Sequence, residues 1–322
     1  MTRIGSPTGG PRPADPGAPA PPAAPTTTQV VLAFAAVYLI WGSTYYAIRI
    51  AIETIPPFTM AGVRFLLAGG VLYPWVRLRR RGPAPTALQW RNAGILGVLL
   101  LGIGNGAVVW AEQWVPTGLV ALLVGLVPIW MVLVDWLWGT GPRPGPLLIG
   151  GLVWGLLGVG LLASGDGLGS DSAAGRLAAL VVLAGGVAWA VGSVGSRSVD
   201  LPSQPGLATA MQMLTGGGVL LAVGAASGEL GRLDPAHVSS ASVLAFLYLA
   251  VFGSLIAFSA FTFLLGVTTP ARVSTYAYVN PVVALLLGWG LAGEPITGRT
   301  LLAAAIILSA VVLITRRDPS RT

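Results

Sequence analysis

Cysteine and lysine are both missing from this chain of 322 residues, and only 9% of its residues carry a charge. Without cysteine there can be no disulfide framework, no thiolate metal site and no cysteine nucleophile. Without lysine there is no phosphate-binding loop of the P-loop kind, so an ATP-driven pump would need a partner chain. Neither HExxH nor GxSxG occurs, which removes the zinc-protease and serine-hydrolase signatures. No enzymatic activity, metal or cofactor is expected. Soluble domains carry about 25% charged residues, and a water-soluble fold this short of charge would expose apolar patches and aggregate. The chain is 54% apolar, so its solvent is mostly lipid. The net charge of +7 comes from arginines that lie between apolar runs. Membrane orientation explains them, and no nucleic-acid partner is expected.

A bilayer core needs about 20 predominantly apolar residues per helix. Windows of that size predict ten spans, at 30–50, 57–76, 92–112, 117–138, 146–164, 174–195, 206–226, 241–264, 271–291 and 298–315. The fold class is therefore an all-α integral membrane protein. Residues 1–28 hold eight prolines and no apolar run. They cannot bury enough surface to offset their ordering entropy and are read as a disordered cytoplasmic tail. Residues 317–322 form a second short tail. With the N-terminus in the cytoplasm, thirteen arginines fall inside and five outside, so both termini are expected to be cytoplasmic.

The chain is written twice. An offset of 148 brings Trp41 onto Trp189, Arg49 onto Arg197 and Pro57 onto Pro205, and GGVL at 69–72 onto GGVL at 217–220. An offset of 153 brings Pro128 onto Pro281, Trp136 onto Trp289 and Gly145 onto Gly298. Chance matching of apolar runs scatters Leu and Val identities; it rarely aligns Trp, Pro and Arg in order. The expected units are a first repeat, 29–165, and a second, 172–316. Five spans each is an odd number, so the second repeat enters the membrane from the opposite side. Two inverted five-helix repeats about an axis in the membrane plane are a transporter arrangement.

A charge at the centre of a span costs about 2.5–3.5 kcal/mol on insertion scales, which makes a deep one a functional candidate. Arg64 lies eight residues into the second span, too deep to snorkel fully. Glu53 or Glu112 could be its partner. Glu112, at the end of the third span, is the candidate for proton coupling. Arg49 and Glu53, four apart, read as an interfacial ion pair. Glu294 reads as the first acidic residue of the tenth span. His237, in a polar loop, reads as solvated. Asn105 is mid-span among glycines, and Tyr276 and Asn280 precede Pro281. Proline removes an amide and disturbs the bond to the carbonyl four residues back, so Pro128 and Pro281 should kink their helices as symmetry mates. Freed carbonyls in lipid must line a cavity or find partners. Ser254 faces the same side of the eighth span as Phe258 and Thr262, and Trp41, Tyr45 and Trp130 can supply aromatic walls. Taken singly, each of these polar groups fits ordinary helix packing. As a set they read as a substrate-binding lining: Trp41, Tyr45, Arg64, Asn105, Trp130, Ser254, Tyr276 and Asn280.

At this point the motifs resemble a known family. The run IWGSTYYAIRIAIETIPPFTMAGVRFLLAG resembles the opening of EamA-type members of the drug/metabolite transporter superfamily. AEQWVPTGLVALLVGLVPIW and YAYVNPVVALLLGWGLAGEPITG resemble their third-to-fourth and ninth spans. The resemblance covers nearly all of residues 30–316. It implies ten helices, cytoplasmic termini and export of small metabolites, amino-acid-like or amphipathic compounds, proton-coupled or downhill. One departure is that Glu294 aligns with Gly141, where the family often repeats the acid. The expected protein is a multi-pass permease of the plasma (inner) membrane, bacterial in source, with a small solute and the lipid bilayer as partners. The rival reading is a membrane sensor or scaffold that binds without transport.

Overall fold

The computed structural model describes residues 25–79, 82–139, 146–163, 173–204 and 206–315. Residues 1–24 of the first tail, the second tail, Arg80, Arg81, Arg143 and Gly141 lie outside them; the end of the expected first tail is helical instead, because Thr26 caps a helix that starts at Thr27. The described residues are helical, with no strand among them. Ten long helices follow in order: α1 (Thr27–Ala51), α2 (Pro57–Arg79), α3 (Ala87–Ala111), α4 (Thr117–Leu137), α5 (Pro146–Ala163), α6 (Ala173–Gly195), α7 (Leu207–Ala226), α8 (Ser240–Val267), α9 (Tyr276–Ala292) and α10 (Gly298–Thr315). Among the described residues seven, α1 to α4 and α6 to α8, are long and apolar enough to cross a membrane. The other three contain shorter apolar stretches, Ile149–Gly158, Val279–Ala292 and Gly298–Ala310.

Local chemistry sets the ends. Thr26 and Thr86 open α1 and α3 with reciprocal capping boxes to Gln29 and Gln89, and Ser239 caps α8. Each box satisfies two amides that a helix start otherwise leaves orphaned. Three helices contain wider π turns, at Ala36–Ile40 in α1, Val98–Asn105 in α3 and Leu249–Phe258 in α8. Such turns inside an α-helix mark strain that functional sites often use.

α4 is broken. Its first segment ends at Val124 and its second starts at Val127, with Pro128 in the new first turn, where a missing amide costs nothing. α9 runs without interruption through Pro281, and an interruption lies upstream, between the short helix Pro270–Val273 and Tyr276.

The packing between the two halves is exchangeable. With α1 matched to α6, α2 to α7 and so on, the α1–α9 contact has α6–α4 as its counterpart. Likewise α2–α8 corresponds to α7–α3, and α1–α8 to α6–α3. α2 crosses α7 on glycines. A Cβ on Gly62 would lie 2.7 Å from Leu221 N and 3.0 Å from Gly217 O, and one on Gly217 would lie 2.9 Å from Gly62 O. The backbones touch there, as small residues allow between helices in lipid.

Candidate functional site

A cavity lies between α1, α2, α3, α4, α6, α8 and α9. It has about 80 Å³ of space for the centres of water-sized molecules. One water needs roughly 10–15 Å³ on that measure, so the cavity holds several waters or a small solute. Its polar end is built by α2 and α3. Arg64 is only 3% exposed and donates from Nη2 to Asn105 Oδ1 at 2.8 Å. Its Nε and Nη1 have no hydrogen-bond partner, and its Cζ lies 4.5 Å from the centre of the Phe65 ring. Asn105 closes the π turn of α3. Among the described residues lining the cavity, Arg64 is the only charged one.

Much of the remaining lining is aromatic. Trp41 meets Trp189 edge to face with ring centres 5.5 Å apart, and it also packs on Phe261 at 5.0 Å and Tyr276 at 5.4 Å. The Trp41 indole N–H donates to Gly253 O in the π turn of α8 at 3.2 Å. Trp189 fits because α3 has no side chain at Gly104: a Cβ there would lie 2.9 Å from the indole Cε3. Phe258 ends the π turn of α8 and completes the wall.

Five of the eight expected lining residues come together: Trp41, Tyr45, Arg64, Asn105 and Tyr276. Three do not line it. Trp130 packs behind the wall, with its indole 3.4 Å from where a Cβ on Gly186 would be. Ser254 and Asn280 are buried in helix packing, with Ser254 Oγ and Asn280 Oδ1 unpartnered. Shared helix face was the signal for Ser254, but a face of α8 spans both the cavity and the seam with neighbouring helices. Thr262, on that face, bonds instead to Thr209 of α7 at 2.7 Å. The expected set missed Trp189, although the offset of 148 already marked it as the counterpart of Trp41. It also missed the glycines that make room, Gly104, Gly185 and Gly186.

The charges near the mouth differ from expectation. Arg49 does not pair with Glu53, because α1 ends at Ala51 and Glu53 falls in the exposed turn that follows. Arg49 pairs with Glu294, Nη1 to Oε1 at 3.7 Å. Glu294 is not the first acid of α10 either. Gly293 ends α9 in the left-handed conformation (φ 66°), which only glycine adopts at little cost. The chain then turns the Glu294 carboxylate onto the start of α4. It accepts from Thr117 N at 2.9 Å, Thr117 Oγ1 at 2.6 Å and Gly118 N at 3.3 Å. Glu229 does the same for α2, accepting from Thr59 N at 2.7 Å, Thr59 Oγ1 at 3.0 Å and Phe58 N at 3.2 Å. A carboxylate at a helix N-terminus is favoured by its orphan amides and its positive end. His237 pairs with Asp234 at 2.7 Å in an exposed loop, in line with its solvated reading.

Bonds to charged groups contribute about 1.5–3 kcal/mol. Glu294→Ala and Glu229→Ala should each lower stability by about that amount in a thermal or denaturant unfolding experiment. Glu53→Ala should leave it unchanged.

Glu112 caps the end of α3, one turn beyond the cavity-lining Val108. It is 3% exposed, and neither carboxylate oxygen has a hydrogen-bond partner. Neither Glu53 nor Glu112 forms the expected ion pair with Arg64 among the described residues. Glu112 lies within electrostatic reach of Glu294, Arg49 and Arg64.

Comparison with known proteins puts this geometry in context. The profile of the family described as EamA-like transporter matches the chain twice, over residues 28–164 and 176–316. The chain is 42% identical over 281 residues to YedA of Escherichia coli K12, described as an uncharacterized inner membrane transporter; the match covers 87% of this chain and 88% of YedA. It is 23% identical to YvbV of Bacillus subtilis, described as an uncharacterized transporter, over 92% of this chain and 94% of that one. A crystal structure 22% identical shares the fold, with a TM-score of 0.61 over 89% of this chain and 97% of the other.

Proposed function

The chain belongs to the EamA-like transporter family, a family of membrane permeases and not of enzymes, and from that premise we propose that it is a secondary permease that exports small metabolites, amino-acid-like or amphipathic compounds by alternating access. The observation that carries this reading is the central cavity, where a buried guanidinium keeps two unpartnered N–H groups beside an aromatic wall. A transport role for a small solute follows from the family; the way it works is the proposal.

All ten long helices act as spans, with α5, α9 and α10 shielded in part by their neighbours, and they form two inverted repeats. The support is physical. One family profile fits both halves. The contacts between halves exchange under the repeat. Trp41 and Trp189, equivalent in the repeat, touch each other, and residues exchanged by a two-fold meet only near its axis. Such a dyad lying in the membrane plane converts an inward-open cavity into an outward-open one when the halves exchange conformations. Both termini are cytoplasmic, and the membrane is the inner one, as in the name of the relative YedA.

The absence of cysteine makes the test clean. A single cysteine at Thr44 should be labelled by impermeant thiol reagents from either side, in proportions that solute shifts. Labelling from one side under every condition removes alternating access. Reporter tags that place the two ends on opposite faces remove the topology.

Glu112 is the coupling group in this reading, because a buried carboxylate without partners beside the cavity can exchange a proton when the solute site opens. Glu112→Gln should flatten the pH dependence of flux into proteoliposomes. An unchanged pH profile assigns proton coupling elsewhere.

A further inference from the structure

The polar groups of the cavity are not shared between the two repeats. Thr86 and Ser239, which cap α3 and α8, fix the offset between those helices at 153, so Asn105 corresponds to Phe258. Between α2 and α7 the offset is 148, so Arg64 corresponds to Gln212, which does not line the cavity. The pocket thus takes its one cationic anchor from α2 and α3 and its aromatic rings mainly from α1, α6, α8 and α9. Duplication alone would have left two like anchors.

The charge at that anchor lacks a counter-ion in hydrogen-bond contact. Arg64 gives one N–H to neutral Asn105, while Nε and Nη1 have none to serve. Nη2 also has a second hydrogen. A buried guanidinium is costly to leave unpaired. A planar acceptor with two oxygens, above all a carboxylate, can take two parallel N–H bonds from one of its edges. The body of such a solute then lies toward Trp41, Trp189, Phe258 and Tyr276, whose faces and edges suit a flat apolar group. Among the described lining residues none is acidic, so an ammonium group finds no carboxylate there and only aromatic rings to face.

We propose that the cavity selects monoanionic carboxylates with a flat apolar body, and rejects cations of the same size, through the single Arg64–Asn105 anchor facing the Trp41–Trp189 wall. This rests on the transporter reading for its biological meaning, but not for its test. Glu112, beyond the cavity, would favour a cation whenever it is ionised, which makes the sign of the selectivity a real discriminator.

Three probes share one ring and differ in charge: benzoate, benzyl alcohol and benzylammonium. Their binding to the purified full-length protein in nanodiscs can be measured by thermal shift and by quenching of tryptophan fluorescence. Benzoate should bind at least about tenfold more tightly than benzylammonium, a ratio equal to about 1.4 kcal/mol. Arg64→Met should abolish that preference, and Asn105→Leu should reduce it. If Arg64→Met does not fold, the wild-type series decides alone. Equal or tighter binding of benzylammonium, or no binding of benzoate, overturns the inference. The binding series stands without flux; in a separate proteoliposome assay of the same probes, charge-selective binding without transport would sink the permease reading, and flux of a cation without benzoate binding would sink only this one.

Discussion

Arg64→Ala should cut the saturable flux of the transported solute in proteoliposomes to a small fraction of wild type, chiefly through a weaker apparent affinity. Arg64 is the only charged residue among the described ones that line the cavity, and its free N–H groups are held in a buried pocket by Asn105. Truncating one partner of a buried, hydrogen-bonded charge pair costs about 2–5 kcal/mol. That corresponds to roughly 30-fold to several thousand-fold in affinity. The same change should spare the fold. No carboxylate pairs with Arg64 among the described residues, so its removal strands no opposite charge in contact with it and relieves a desolvation cost. Thermal unfolding of Arg64→Ala at or near the wild-type temperature, together with lost flux, is the expected pair of results. Arg64→Met, which keeps more of the packing against Phe65, should match it. Normal flux with normal apparent affinity would take Arg64 out of the solute path.

The second large effect is on stability, and it comes from glycines that occur in the same tetrapeptide twice. Gly217, the first glycine of the second GGVL, faces α2, where a Cβ would lie 2.9 Å from both Gly62 O and Leu66 N. Its counterpart Gly69 faces α7, with Ala210 O, Leu214 Cγ and Met213 Cβ all 3.0 Å from such a Cβ. The following glycines, Gly70 and Gly218, have nothing within 4 Å. Backbone atoms cannot step aside as a side chain can. Gly217→Ala and Gly62→Ala should therefore each destabilise the protein by about 1–3 kcal/mol, the usual cost of overpacking. Gly70→Ala and Gly218→Ala should be neutral or stabilise by up to about 1 kcal/mol, since alanine is the better helix former. Gly69→Ala should fall between these sets. Unfolding followed by circular dichroism in detergent gives the ranking. Equal effects at Gly217 and Gly218 would mean that α2 and α7 do not cross where the structure places them.

The positions of the helices were legible because a bilayer imposes one crude rule, about 20 apolar residues per crossing. Each predicted window contains or overlaps one of the ten long helices. Local irregularities were less legible. Pro128 marked the break in α4, since proline acts on its own turn. In α9 the helix continues through Pro281, and an interruption lies upstream, between Val273 and Tyr276, where no proline marks it. Trp41, Tyr45, Arg64, Asn105 and Tyr276 were found as lining because aromatic and polar groups in lipid stand out singly. Trp130, Ser254 and Asn280 were misplaced because a residue's helix face does not say which neighbour covers it.

The charges show the same division at the mouth of the cavity. Arg49 and Glu53 are four apart in sequence, which suggests a pair, but the helix stops between them. Glu294 is 245 positions from Arg49 and 177 from Thr117, and it meets both.

By itself, the sequence determined that this chain lives in lipid, where its helices lie, and that it was doubled, because burial in a bilayer and duplication leave marks that are local or periodic. Only the tertiary structure decided which residues share the cavity, that Trp41 and Trp189 meet, that Glu294 and Glu229 close the starts of α4 and α2, and that Arg64 has no carboxylate in contact among the described residues. Those facts depend on the crossing of helices distant in sequence. They are set by where glycines let two backbones approach, a condition no single stretch of the chain contains.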